Sequence, residues 1–375
     1  MSAPPGASAS GAGATDAGGR TAAPPGPPPR PPLRKVALAL AIGASGGLIC
    51  FLLRMPLAWM MGAALATSAA AFLGAPIRME PRLRQLMLIV LGVLLGSSFH
   101  PGLLSHIGDW SISLAVLVGL TFFSAGSVFT FYRRVGRYDR TTAFFASVPG
   151  GLGEMTATGG AMGGDERIIA ISHAVRIISV VLTIPVWFRL TGSISRSATA
   201  GIYFADLELL DIGVMAGMGL AGAVLGTLLR LPAALLVGSM IVSAAAHLGG
   251  LTQARPSVEM VAAAQVVIGT GIGCRFIGAS GRLVMRAMRF AVAGGLVSVA
   301  SAVGFALFAH LIATDLPFYG LLLAYSPGGV AEMSLIALSL GIDVAMVATH
   351  HLFRLFFVLI SAPQMFRLWR RLGAG

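Results

Sequence analysis

The chain has 375 residues, 56% hydrophobic and 11% charged, with 26 Lys and Arg against 14 Asp and Glu for a formal charge of +12. Soluble globular domains carry about a quarter charged residues, so this composition, with a mean hydropathy of +0.86, excludes a water-soluble globular protein. Nor does the positive charge point to nucleic acid, because the arginines fall in short clusters between apolar runs, as in cytoplasmic loops that obey the positive-inside rule.

Residues 1–33 are almost all Ala, Gly, Pro and Ser and end in Pro-Pro-Gly-Pro-Pro-Pro-Arg-Pro-Pro. Such a segment buries no apolar area and is expected to be a disordered tail. It is not read as a signal peptide: the apolar run after Lys35 is longer than the roughly 7–15 residues of a cleavable signal and leads straight into a second run. The first helix is expected to stay as an anchor.

Runs such as Val36 to Met55 and Phe290 to Leu311 are long enough to cross roughly 30 Å of hydrocarbon as helices. Spanning helices are predicted near 36–54, 56–74, 85–103 and 111–132, then a broken element near 140–163 and a helix at 166–189. The order repeats near 212–230, 232–250, 258–276, 289–311, 316–341 and 343–366. The 49 glycines are read as packing residues, since small residues let helices approach closely where no hydrophobic force draws them together.

That order recurs because the chain comes into register with itself at an offset of 176 to 178 residues, and the matches fall on punctuating residues. Arg54, Pro56 and Gly62 meet Arg230, Pro232 and Gly238; Gly92, Gly96 and Phe99 meet Gly269, Gly273 and Phe276. Pro149-Gly150-Gly151-Leu152-Gly153-Glu154-Met155 meets Pro327-Gly328-Gly329-Val330-Ala331-Glu332-Met333, and His173, Arg176 and Pro185 meet His351, Arg354 and Pro363. The expected organisation is a tail (1–33), a first membrane repeat (34–190), a linker (191–211) and a second membrane repeat (212–375).

Arginines orient the repeats. Arg133, Arg134, Arg137 and Arg140 follow the fourth helix of the first unit, whose third-to-fourth connection, Ser98 to Ile112, carries no Lys or Arg. In the second unit Arg275, Arg282, Arg286 and Arg289 flank the third-to-fourth connection, and Leu311 to Phe318 carries none. If basic loops stay in the cytoplasm the units face opposite ways, with five crossings each and a re-entrant Pro-Gly-Gly element. A parallel arrangement of twelve crossings remains the alternative. The expected fold class is an all-α polytopic membrane protein of two homologous, inverted repeats.

A Pro-Gly-Gly at membrane depth leaves backbone groups unpaired unless the break is buried in protein or lines a cavity, and paired breaks mark the substrate site of many transporters. The candidate site residues are therefore Pro149, Gly150, Gly151, Glu154, His173 and Arg176 with Pro327, Gly328, Gly329, Glu332, His351 and Arg354. An intramembrane carboxylate is costly enough to be functional by default, and Glu154 and Glu332 would bind a cation or carry a proton. A second reading makes each a cap of its helix N-terminus. For Arg176 and Arg354 three readings stand: pairing with the two glutamates, forming an anion site, or snorkelling to an interface.

Cys50 and Cys274 lack metal or redox spacing, and the seven histidines show no His-x-x-His or His-x-x-x-His, so no metal centre and no cofactor is expected. No nucleophile elbow, phosphate loop or Rossmann fingerprint is present; Gly159 to Asp165 lacks the Lys and Ser/Thr of a phosphate loop and is read as a turn.

The twin Pro-Gly-Gly-x-x-Glu-Met motifs, each followed by His-x-x-Arg, resemble the AbrB duplication family of bacterial membrane proteins over roughly residues 36–368. Members of that family are variously labelled regulators of gene expression or ammonia monooxygenases, and the family is distantly similar to secondary transporters with inverted five-helix repeats. The resemblance implies a bacterial inner-membrane, multi-pass protein, and the positions of the basic loops place its N-terminus in the cytoplasm. The leading expectation is a non-enzymatic transporter or exporter of a small polar solute. The alternative is a membrane-bound regulator acting through a partner protein, and a monooxygenase-like enzyme comes third. Expected partners are a small-molecule or ion substrate and the lipid bilayer, not nucleic acid, with a homo-oligomer left open.

Overall fold

The computed structural model describes residues 31–55, 57–190, 202–278, 281–312 and 316–372, excepting the side chains of 104–107, 109, 189–190, 281–286 and 372. Most of the expected tail, Pro56 and most of the linker lie outside the described residues. Among those described, the chain is all helical and has no strand. Its first helices are α1 (Leu33–Leu52), α2 (Ala58–Phe72), α3 (Pro81–Gly96), α4 (Ile107–Arg134), α5 (Arg140–Ser147), α6 (Leu152–Ala161) and α7 (Glu166–Leu190). They are followed by α8 (Leu209–Leu228), α9 (Ala234–Leu248), α10 (Val258–Gly273), α11 (Gly281–Ile312), α12 (Phe318–Tyr325), α13 (Val330–Leu340) and α14 (Val344–Leu372).

The third helix of each predicted set ends earlier than expected. After α3 comes a short irregular stretch and a 3-10 turn at Pro101–His106, because a residue before proline, here His100, is pushed out of the helical region. After α10 the chain tightens into a 3-10 turn at Cys274–Phe276. Each broken element is two short helices separated by the Pro-Gly-Gly, as expected.

Among the described residues, 7 helices are long and apolar enough to cross a membrane, which makes this a multi-pass membrane protein. They are α1, α4, α7, α8, α11, α14 and α10 with its 3-10 extension. Outward apolar side chains on these helices agree: Leu220, Leu296 and Ile360 are more than half exposed. The expected ten crossings are not reached by length alone, since α2 and α9 are only 15 residues each. Both start late, after a non-glycine residue in the left-handed region, Leu57 at φ 47° and Ala233 at φ 48°.

The helices sort into two bundles by their packing. A scaffold bundle holds α1, α2, α3, α8, α9 and α10, knitted crosswise so that α3 lies on α9 and α10 lies on α2. Its seams are glycine-lined. A Cβ at Gly62 would collide with the Gly46 carbonyl, one at Gly238 with that of Gly222, and Gly96 and Gly273 lie directly on the backbones of α9 and α2. Close backbone approach of this kind is how helices gain dispersion contact inside a bilayer. Ser243 Oγ adds a hydrogen bond across the α9–α3 seam to Val93 O, at 2.8 Å.

The second bundle holds α4 to α7 and α11 to α14. In it α5 and α6 fold back on each other: Asp165 N, beyond the end of α6, donates to Thr142 Oγ1 near the start of α5 at 2.8 Å, and Gly159 packs on Phe145. The pair is a helical hairpin with Val148–Gly151 at its tip, and Gly163, at φ 90°, turns the chain at its base. A second hairpin is formed by α12 and α13, its base marked by Gly320 against Ile342.

The long helices α7 and α14 show how the hairpins face. From the base of the first hairpin α7 runs past its tip and ends at the base of the second, where Phe188 lies 5.1 Å from Tyr319 between ring centroids. In the reverse sense α14 starts with Met346 beside Gly320, passes Gly150 at Val358, and places Phe366 5.1 Å from Phe144 at the base of the first. The hairpins therefore enter from opposite ends and meet tip to tip.

Candidate functional site

Each tip interrupts a helix and so leaves carbonyls unpaired on its near side and amides unpaired on its far side. On the carbonyl side, a His and an Arg three residues apart on the following long helix share one face and reach over together. His351 Nε2 donates to Leu323 O at 3.0 Å, while Arg354 donates to Ser326 O at 2.8 Å, Gly328 O at 2.9 Å and Tyr325 O at 3.4 Å. At the first tip His173 Nε2 donates to Phe145 O at 2.9 Å and Arg176 to Val148 O at 3.4 Å.

Within each pair the guanidinium also donates to the histidine, Arg176 to His173 Nδ1 and Arg354 to His351 Nδ1, both at 2.8 Å. An arginine has no acceptor atom, so Nδ1 must be bare and Nε2 must carry the hydrogen. Both histidines are neutral donors to a helix end. The expected pairing of Arg176 and Arg354 with Glu154 and Glu332 is not found: their partners are backbone carbonyls and imidazoles. Among the described residues both arginines instead donate to helix C-terminal carbonyls, which favour a cation.

On the amide side, Glu154 and Glu332 lie in the first turns of α6 and α13, with Gly151 and Gly329 at the N-caps. Each carboxylate folds back over its glycine, so that a Cβ at Gly151 or Gly329 would collide with the glutamate Oε2. The glycines leave room for that close approach. The carboxylates complement the two helix N-termini and also face open space.

That space is a cavity of about 340 Å³ between the bundles. Pro149, Gly150, Gly151, Glu154, Gly328, Gly329, Glu332, His351 and Arg354, all expected from the sequence, stand on its wall. Pro327 faces Pro149 across a much smaller void behind it. His173 and Arg176 are buried away from the cavity wall, behind the first tip. The scaffold side of the cavity is formed by Arg84 and Leu88 of α3, Ala233 and Leu236 at the start of α9, and Arg275 after α10. Arg84 was not among the expected site residues, and Arg275 entered only as a marker of topology; no helix-break motif marks either one.

Among the described residues no three His, Cys, Asp or Glu side chains are grouped to hold a metal. His247, His310 and His350, like His173 and His351, place a ring nitrogen on a backbone carbonyl.

These features define a multi-pass helical membrane protein with a cavity, bearing charged side chains on its wall, where two helix breaks meet. The chain belongs to the AbrB family: residues 59–370 match the family described as "Transition state regulatory protein AbrB". It is 27% identical over 363 residues to "Uncharacterized protein YhjN" of Bacillus subtilis (strain 168), covering 89% of this chain and 92% of that protein. It is also 25% identical over 289 residues to "Putative regulator AbrB" of Escherichia coli (strain K12), covering 74% and 80% respectively.

Proposed function

We propose that this protein is a secondary transporter or exporter of a small polar solute, built from two inverted repeats, residues 34–190 and 212–375, with its site at the cavity between the hairpin tips. The observation that carries the proposal is the meeting of two opposed, broken hairpins at a cavity of about 340 Å³ on the boundary between two bundles, within the roughly 300–1,000 Å³ usual for small-molecule sites. Alternating access follows if one bundle moves against the other around the tips. Glu154 and Glu332 are the groups proposed to carry a coupling proton or cation, because they are the carboxylates on the cavity wall. The membrane is the bacterial inner membrane, with the N-terminus in the cytoplasm, in keeping with the exchanged positions of the basic loops.

The test is solute-dependent current or tracer flux in proteoliposomes across a panel of small metabolites, beside a Glu154→Gln/Glu332→Gln double variant. Flux of one solute that is lost in the double variant is expected. A competing reading, a membrane-bound regulator that senses a solute and acts through a partner, draws on the name of the Escherichia coli relative. It predicts binding without flux. The inverted organisation has its own test in reporter fusions at residue 200 and at the C-terminus, which should report opposite sides; two cytoplasmic reports would remove it.

A further inference from the structure

We infer that the cavity is an anion site and that Arg84 and Arg275 hold the negatively charged group of its solute. The inference rests on the reading of the cavity as a solute site. Arg84 rises from the first turn of α3 and lays its stem across Gly271 of α10, where a Cβ would stand 3.4 Å from Arg84 Cδ. Arg275 comes from the 3-10 turn that closes α10. Both arginines belong to the cavity wall, and Arg275 is within electrostatic reach of Arg84 and of Glu332.

The two differ from Arg354 on the same wall. Arg354 spends its donors on Ser326 O, Gly328 O and His351, whereas among the described residues neither Arg84 nor Arg275 has a hydrogen-bond or ion-pair partner. Two like charges beside each other at the edge of a low-dielectric region repel unless an opposite charge joins them. Glu332 offsets only part of this: three arginines against two glutamates leave one excess positive charge on the wall. The N-terminal ends of α6 and α13, which carry partial positive charge, point into the same space. A carboxylate or phosphate group, accepting from planar guanidinium forks, balances the wall; a cation or a neutral solute does not.

The clamp is also one-sided. In the register of the two halves Arg84 falls opposite Val261 and Arg275 opposite Ser98, so the tips are paired but the basic wall is not. A solute held there has its charged group turned towards the Arg84 and Arg275 side.

The full-length protein in lipid nanodiscs, at constant ionic strength, is titrated with inorganic phosphate, acetate and succinate, and with acetamide and succinamide as uncharged analogues, following thermal unfolding and intrinsic tryptophan fluorescence. Saturable binding of at least one anion and none of the amides is expected. Arg84→Gln and Arg275→Gln should each weaken that binding tenfold or more, with Arg84→Lys in between, while unliganded melting stays near the wild type. If Arg84→Gln fails to fold, Arg84→Lys and Arg275→Gln carry the comparison. Absence of anion binding, equal binding of the amides, or unchanged affinity in the variants overturns the clamp. Anion binding without flux would keep the clamp and remove the transporter, whereas flux of a cation or neutral solute that survives Arg84→Gln/Arg275→Gln would do the reverse.

Discussion

The two hairpin tips carry the same motif but are fastened unequally. At the second tip Arg354 holds three carbonyls, and Tyr325, the last residue of α12, donates its hydroxyl to Ser113 O on α4 at 2.7 Å. The neighbouring His350 adds a 2.5 Å contact to Ser113 Oγ. At the first tip Arg176 reaches one carbonyl at 3.4 Å, and its Nε is buried without a partner. Where Tyr325 stands in the second hairpin the first has Ser147, whose hydroxyl bonds only within its own helix, to Phe144 O. At the scaffold seams the glycines are matched, since Gly96 and Gly273 each lie directly against the backbone of the opposing helix. One motif thus serves as a rigid tip in one half and a looser one in the other.

The largest expected effect comes from removing the fastening. Arg354→Gln strands several buried carbonyls, each worth about 1.5–3 kcal/mol when bonded to a charged donor, and should lower stability by about 3–5 kcal/mol. Arg176→Gln, which loses one long carbonyl bond beside its bond to His173, should cost about half as much. Unfolding of the two variants in the same detergent measures the difference, and equal losses would mean that the tips are fastened alike.

Much of this was legible in the sequence because the informative residues are ones that helices do not exchange freely. Pro149 and Pro327 located the breaks, and the spacing of His173 with Arg176 and His351 with Arg354 put each pair on one helical face. What the pairs bind was not legible. Charge complementarity favoured Glu154 and Glu332, but a broken helix supplies unpaired carbonyls closer at hand, and the arginines take those. Arg84 and Arg275 became visible as cavity residues only when α3 and α10 were packed crosswise on α9 and α2, a long-range arrangement that no local pattern encodes.

Equality of the seams is tested at Gly96 and Gly273. A Cβ at Gly96 would meet Met240 O and Ser243 Cβ at 2.5 Å each, and one at Gly273 would meet Ser68 N at 2.6 Å. Backbone cannot swing aside as a flexible side chain can, so Gly96→Ala and Gly273→Ala should each cost about 1–3 kcal/mol. Gly295→Ala, where nothing lies within 4 Å, should be neutral or slightly stabilising, since alanine favours a helix by about 1 kcal/mol. A large gap between the first two variants in thermal unfolding would extend the asymmetry of the tips to the scaffold.

The effect whose sign separates the halves most sharply, and which at Ala233 is the smallest, is at the left-handed residues before α2 and α9. Leu57 and Ala233 hold nearly the same conformation, φ 47° and 48°, which costs an L-residue about 1–2 kcal/mol. Glycine relieves that strain but gives back roughly 0.5–1 kcal/mol in chain entropy, so Ala233→Gly, at an exposed side chain on the cavity rim, should raise stability by up to about 1 kcal/mol. Leu57 is 5% exposed and packs in the main apolar core. There the lost burial outweighs the relief, and Leu57→Gly should destabilise. If both glycines shift the melting temperature the same way, the matching backbone turns are held by the turn itself and not by what each side chain touches.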